Sequence, residues 1–120
     1  MMEHNKYDMI GYTHIDPVWL WNRAEGMQEV KSSFSSALER MKEFPDFKFS
    51  QTSIAFLAWL KDNCPDIFEQ IKERVKEGRW EIQGGMWVEP DCDIPSGEAM
   101  IRHFPVSYTH LRAHETVLDL

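Results

Sequence analysis

The amino-acid sequence predicts an α/β fold in which parallel strands are joined by helical crossovers. Two observations carry that expectation. Strand-like and helix-like segments alternate along the chain, and the two clusters of chemistry-bearing residues each follow a predicted strand. Ligand sites of parallel sheets lie at the carboxyl ends of the strands, where both clusters fall.

Residues 7–14 (Tyr-Asp-Met-Ile-Gly-Tyr-Thr-His) are rich in strand formers, and Pro17 ends the strand, so His14 and Asp16 sit at its C-terminal end. A helix follows, in which Met27, Val30, Phe34, Leu38 and Met41 recur at spacings of three and four. Glu29, Lys31, Glu39, Arg40 and Lys42 mostly fill its other face, and Pro45 lies where the helix stops. Residues 47–51 alternate apolar and polar and read as a second strand. Helices are expected over about 53–62 and 65–77, the latter presenting Ile67, Ile71 and Val75 on one face with Gly78 as its stop. Residues 79–83 form a third strand running into Gly84-Gly85. Ser96 is the expected N-cap of a last helix, which Pro105 is expected to break. A closed barrel of parallel strands and helices usually takes about 250 residues, so three strands read as part of a larger domain.

Composition narrows the function classes. The 120 residues are 42% hydrophobic and 28% charged, ordinary for a globular protein. The formal net charge of −7 argues against a nucleic-acid or anionic-membrane partner, which would call for clustered Lys and Arg. The N-terminus has no apolar segment behind a basic start, and no apolar run is long enough to span a bilayer. Cys64 and Cys92, the only two cysteines, form neither a Cys-x-x-Cys pair nor a disulfide framework, which favours a cytoplasmic setting. Cys92 adjoins Asp91, where a thiol could be oxidised or scavenge metal, yet packing is the expected role of a free cysteine. Five Trp all precede residue 90. Core packing is the expected role of any one of them, and a stacking platform in a sugar cleft is the alternative.

His14 and Asp16 can converge on one cation where the strand bends at a proline, and zinc accepts both ligand types at roughly 2.0–2.2 Å. A His-x-Asp spacing alone equally fits a hydrogen-bonded surface histidine. The second cluster, Gly84-Gly85-Met86-Trp87-Val88-Glu89-Pro90-Asp91-Cys92-Asp93, gathers its carboxylates behind a glycine pair. The glycines permit close backbone approach or positive φ, and Trp87 supplies an apolar wall. Such carboxylates can ligate a metal or attack an electrophilic carbon; a solvated acidic loop is the alternative.

His14-Ile15-Asp16-Pro17-Val18-Trp19-Leu20-Trp21, taken with the block from Gly84 to Asp91 and with Pro95-Ser96-Gly97-Glu98, resembles glycoside hydrolase family 38, the class II α-mannosidases. The resemblance covers about residues 5–104 and is nearest to the cytosolic and bacterial branch. It implies that the chain is the N-terminal portion of a seven-stranded (β/α) barrel, within a retaining enzyme that hydrolyses terminal α-mannosides or mannose-containing oligosaccharides. It further implies a divalent metal, zinc foremost with cobalt and calcium as alternatives, held by His14, Asp16 and Asp91. Asp91 doubles as catalytic nucleophile, and Trp19 and Trp87 contact the sugar ring. Glu89 and Asp93 are expected as supporting or loop carboxylates. The family's last metal ligand, a histidine, and its acid/base aspartate are expected far beyond residue 120.

Residues 105–120 depart from the family pattern and resemble translated sequencing adapter, so 1–104 is expected to be a partial catalytic domain and 105–120 a non-native tail. His110, His114 and Glu115 in that tail are not expected to bind zinc. His4 and His103 carry no expected function. Two other readings stand beside the mannosidase: a carbohydrate deacetylase-like barrel whose metal activates water, and a truncated product without activity.

Overall fold

The computed structural model describes residues 5–113, with side chains to residue 105. The elements run β1 (Gly11–Tyr12), α1 (Arg23–Glu43), β2 (Phe49–Gln51), α2 (Ile54–Asn63), α3 (Pro65–Lys76), β3 (Trp80–Ile82) and α4 (Gly97–Ala113). The strands form one parallel sheet in the order β1-β2-β3. Gly11 pairs with Phe49, and Phe49 in turn with Trp80, so all three strands leave the sheet at the same end.

The expected helices are present. Asn22 and Glu25 build a reciprocal capping box at the start of α1, each side chain serving the other's backbone amide at 2.9–3.0 Å. Every member of the Met27–Met41 stripe is buried, joined by Gly26 and Ala37. At its far end the Arg79 guanidinium donates to the carbonyls of Met41 (2.7 Å) and Phe44 (2.9 Å). Pro65 opens α3, where a missing N–H costs nothing. Gly78, at φ +73°, closes it: its N–H bonds the Val75 carbonyl and that of Arg79 bonds Arg74, each at 3.0 Å. This is the paired termination that a left-handed residue permits and a side chain would strain. Ser96 caps α4 through its hydroxyl, which accepts from the Ala99 amide at 3.2 Å.

The core lies between the sheet and α1–α3. Phe34, Phe49 and Trp80 stack edge-to-face or tilted, with centroids 4.6–6.0 Å apart. The Trp80 indole N–H, buried with its ring, donates to the Gln51 side-chain oxygen at 3.0 Å. The Gln51 amide nitrogen reaches the carbonyls of Thr52 and Ser53, so this buried polar group is satisfied. Among the five Trp, only Trp80 is fully buried.

Three expectations need correction. The first strand shrinks from 7–14 to Gly11–Tyr12, because its sole neighbour among the described residues is the three-residue β2; Tyr7, Met9 and Ile10 are exposed. The alternation read at 47–51 lapses within β2, whose three residues are all buried, as a central strand covered on both faces requires. Pro105 does not end α4, which runs on to Ala113. A proline removes only one ladder bond, and the flanking turns continue. His4, His114 and Glu115, and the side chain of His110, lie outside the described residues. No described helix is long and apolar enough to cross a membrane.

Candidate active site at the strand ends

All the site residues sit where the parallel strands end. β1 leaves through Thr13 into His14-Ile15-Asp16-Pro17; β2 leaves through Thr52 and Ser53 into α2; β3 leaves into the glycine-rich block. That block is laid along the end of β2 by backbone bonds. The Gln83 amide donates to Gln51 (2.7 Å), and the amides of Ile54 and Ala55 donate to the carbonyls of Met86 (3.1 Å) and Trp87 (2.9 Å). Ile54 and Ala55 open α2, where amides have no partner inside the helix, so the block supplies what the helix lacks.

Ser53 would ordinarily cap α2 with its hydroxyl. Instead its Oγ accepts from the Glu89 amide at 3.1 Å, and no side-chain cap bond forms. Ser53 also holds φ +62°, the only positive value at a non-glycine among the described residues. Such a conformation costs of order 1–3 kcal/mol and persists where surrounding contacts over-determine it.

Glu89 is the hub. Its Oε1 accepts from the Tyr12 and Thr52 hydroxyls, and its Oε2 is bonded to His14 Nδ1, so one carboxylate ties residues from all three strand ends. Burial pushes the Glu89 carboxyl up, but the bonds from Thr52, Tyr12 and His14 outweigh it and hold it below the ordinary range. The Glu89 bond is the main cause that raises the His14 imidazole; burial opposes it, and the charges of Glu89 and Asp16 add to it. Burial first, then Glu89, raises the Tyr12 phenol.

The other face of the imidazole meets Asp16, with Nε2 and Oδ1 3.3 Å apart. The Asp16 carbonyl accepts from the Trp21 indole at 3.0 Å, which fixes the turn after Pro17. Trp19, 68% exposed, lies 6.2 Å from Trp21 at a tilt of 48°, an open aromatic surface beside the pair. Trp87 is half-buried.

Asp91 stands apart from this cluster. It is exposed, and its Oδ1 accepts from the amides of Asp93 (2.7 Å) and Ile94 (3.3 Å), holding its own loop. Among the described residues, no group of three or more His, Cys, Asp or Glu is arranged to hold a metal ion. Two of the three expected ligands do fit a cation. Nε2 of His14 and the Asp16 carboxylate, a nitrogen and an oxygen donor of the kinds zinc accepts, face one another. Cys92, expected to pack, is exposed instead, because the loop carrying it lies outside the core.

Glu89 is a supporting carboxylate, as expected, but its partners Tyr12, Thr52 and Ser53 have no counterpart among the expected site residues, nor has His103, whose Nδ1 lies 3.4 Å from the Val88 amide. The only available signal was position: each of Tyr12, Thr52 and Ser53 lies at or just beyond the end of a strand.

The chain matches the family described as glycosyl hydrolases family 38 N-terminal domain over residues 4–116. It is 41% identical over 95 residues to alpha-mannosidase G of Dictyostelium discoideum, covering 79% of this chain and 9% of that protein. To alpha-mannosidase 2C1 of Homo sapiens it is 38% identical over 94 residues, covering 78% of this chain and 9% of that protein. An alpha-mannosidase of Saccharomyces cerevisiae is 36% identical over 96 residues, with 79% of this chain and 9% of that protein covered. The chain thus spans about 9% of the length of these curated relatives.

Proposed function

The chain belongs to the glycosyl hydrolase family 38 N-terminal domain, and from that premise we propose that it supplies the nucleophile and part of the metal centre of a retaining α-mannosidase. The observation that carries the reading is the facing of His14 and Asp16 at the carboxyl edge of a parallel sheet, one loop away from Asp91. In this reading the sheet is the first part of a seven-stranded (β/α) barrel. The free cysteines favour a cytoplasmic setting.

His14, Asp16 and Asp91 would hold a divalent cation, zinc foremost. When bound, it would supply a Lewis-acid anchor for the hydroxyls of the sugar. Asp91 attacks C1 as the bond from C1 to the leaving oxygen breaks, giving a covalent mannosyl-enzyme that water then hydrolyses. The amides of Asp93 and Ile94 keep its side chain in one rotamer for that attack. Trp19 and Trp87 offer apolar faces to the ring. The acid that protonates the leaving oxygen lies outside these residues, so the 120-residue chain alone is expected to be inactive.

The test is an aryl α-mannoside given to a full-length protein carrying this segment, with the anomeric form of the first product read by NMR. Turnover with retention supports the proposal. Absence of turnover, with release of acetate from N-acetylated sugars instead, replaces it with a deacetylase.

A further inference from the structure

We propose that Glu89 is a positioning residue that fixes His14 as its Nδ1–H tautomer and so turns the Nε2 lone pair toward a cation shared with Asp16. The inference deepens the function proposed above and rests on its reading of His14 and Asp16 as ligands.

An ionised carboxylate accepts hydrogen bonds and cannot donate them. The proton in the bond between Glu89 Oε2 and His14 Nδ1 therefore belongs to the imidazole. In a neutral ring that leaves Nε2 bare, and Nε2 is the atom facing Asp16 Oδ1 at 3.3 Å. A lone pair beside a carboxylate oxygen is an arrangement that a cation stabilises and that repels itself without one.

Glu89 is itself held from several directions. The hydroxyls of Tyr12 and Thr52 converge on Oε1, and the Ser53 hydroxyl holds the Glu89 amide. The carboxylate cannot swing out to become a ligand without releasing Tyr12 and Thr52. The imidazole plane is thereby referred to three strand ends rather than to a single loop. Metal-bound histidines that lose such a partner typically lose about 10- to 100-fold in metal affinity.

The test uses the whole 120-residue chain, labelled with 15N and stripped of metal, at a pH where the imidazole is neutral. Long-range 1H–15N correlations report which ring nitrogen of His14 carries the proton. The wild-type chain should show Nδ1–H. Glu89→Ala should move the proton to Nε2, and Glu89→Gln, whose amide oxygen still accepts, should restore it. Added Zn2+ should shift the Nε2 resonance while Nδ1 keeps its proton, with affinity about 10- to 100-fold weaker in Glu89→Ala. An Nε2–H tautomer in the wild-type chain overturns the proposal without any variant having to fold. A zinc shift at Nδ1, or no zinc effect on the ring, overturns it equally. The tautomer is read without substrate, so the outcomes separate: Nδ1–H with zinc at Nε2 supports Glu89's role even if the full-length protein proves inactive on mannosides, whereas the wrong tautomer in an active mannosidase discards this inference alone.

Discussion

Glu89 and His14 stand 75 positions apart in sequence, yet Oε2 of one and Nδ1 of the other share a hydrogen bond at the end of the sheet. The contact joins two of the motifs that carry the family resemblance, and it places a negative charge directly behind the proposed metal-binding ring.

Its first consequence is a pH dependence. In the metal-free chain, His14 should titrate above the ordinary histidine value of about 6.5. Its stabilising contribution is complete below the unfolded pKa and lost as pH rises through the raised folded one. Glu89 acts in the opposite sense: its contribution is present above the unfolded carboxyl value and lost as pH falls through the depressed one. The melting temperature should therefore pass through a plateau between those limits. Glu89→Gln should flatten the alkaline edge and lower the His14 pKa measured by NMR. Because the His14 side chain is 54% exposed, solvent screening keeps the effect small.

Asp91→Asn should preserve the loop and remove the chemistry. The amide oxygen can still accept from Asp93 and Ile94, but it is a poor nucleophile. In a full-length protein carrying this segment, turnover of an aryl α-mannoside should fall by roughly four to six orders of magnitude, with an unchanged melting temperature. Near-normal turnover would exclude Asp91 as the nucleophile.

Gly26 should resist replacement by alanine. In an exposed helix that change stabilises by about 1 kcal/mol. Here a Cβ would come within 2.2 Å of the Pro17 carbonyl oxygen, a backbone atom that cannot step aside. The clash should win, with a net loss of about 1–3 kcal/mol in urea unfolding. Pro17 follows Asp16 directly, so the same variant should also weaken zinc binding by the chain.

Trp80→Ala should be the most damaging of the core truncations. It removes the ring packed on Phe34 and Phe49 and leaves the buried Gln51 oxygen without its indole donor. A loss of about 3–5 kcal/mol is expected, read from chemical denaturation. Phe34→Ala, which strands no polar group, should cost less within that range.

The helices of this protein were legible because their signals are local. The stripe from Met27 to Met41, the stop at Gly78 and the cap at Ser96 each depend on spacings within a few turns, and each is present in the fold. The Trp-rich motifs likewise pointed to the family whose model matches residues 4–116, since the identities and order of residues are properties of the sequence itself. Tertiary structure decided what depends on neighbours distant in the chain. β2 is wholly buried because β1 and β3 line its edges and distant segments of the chain pack over the sheet, and Cys92 is exposed because its loop lies off the core. The same reason hid the hub: Tyr12, His14, Thr52 and Glu89 share no spacing or pattern, and meet only because three parallel strands end on one edge. The sequence alone thus named His14, Asp16 and Asp91. Only the packed strands set the His14 ring against Glu89 and Asp16, and left the Asp91 carboxylate bonded to its own loop.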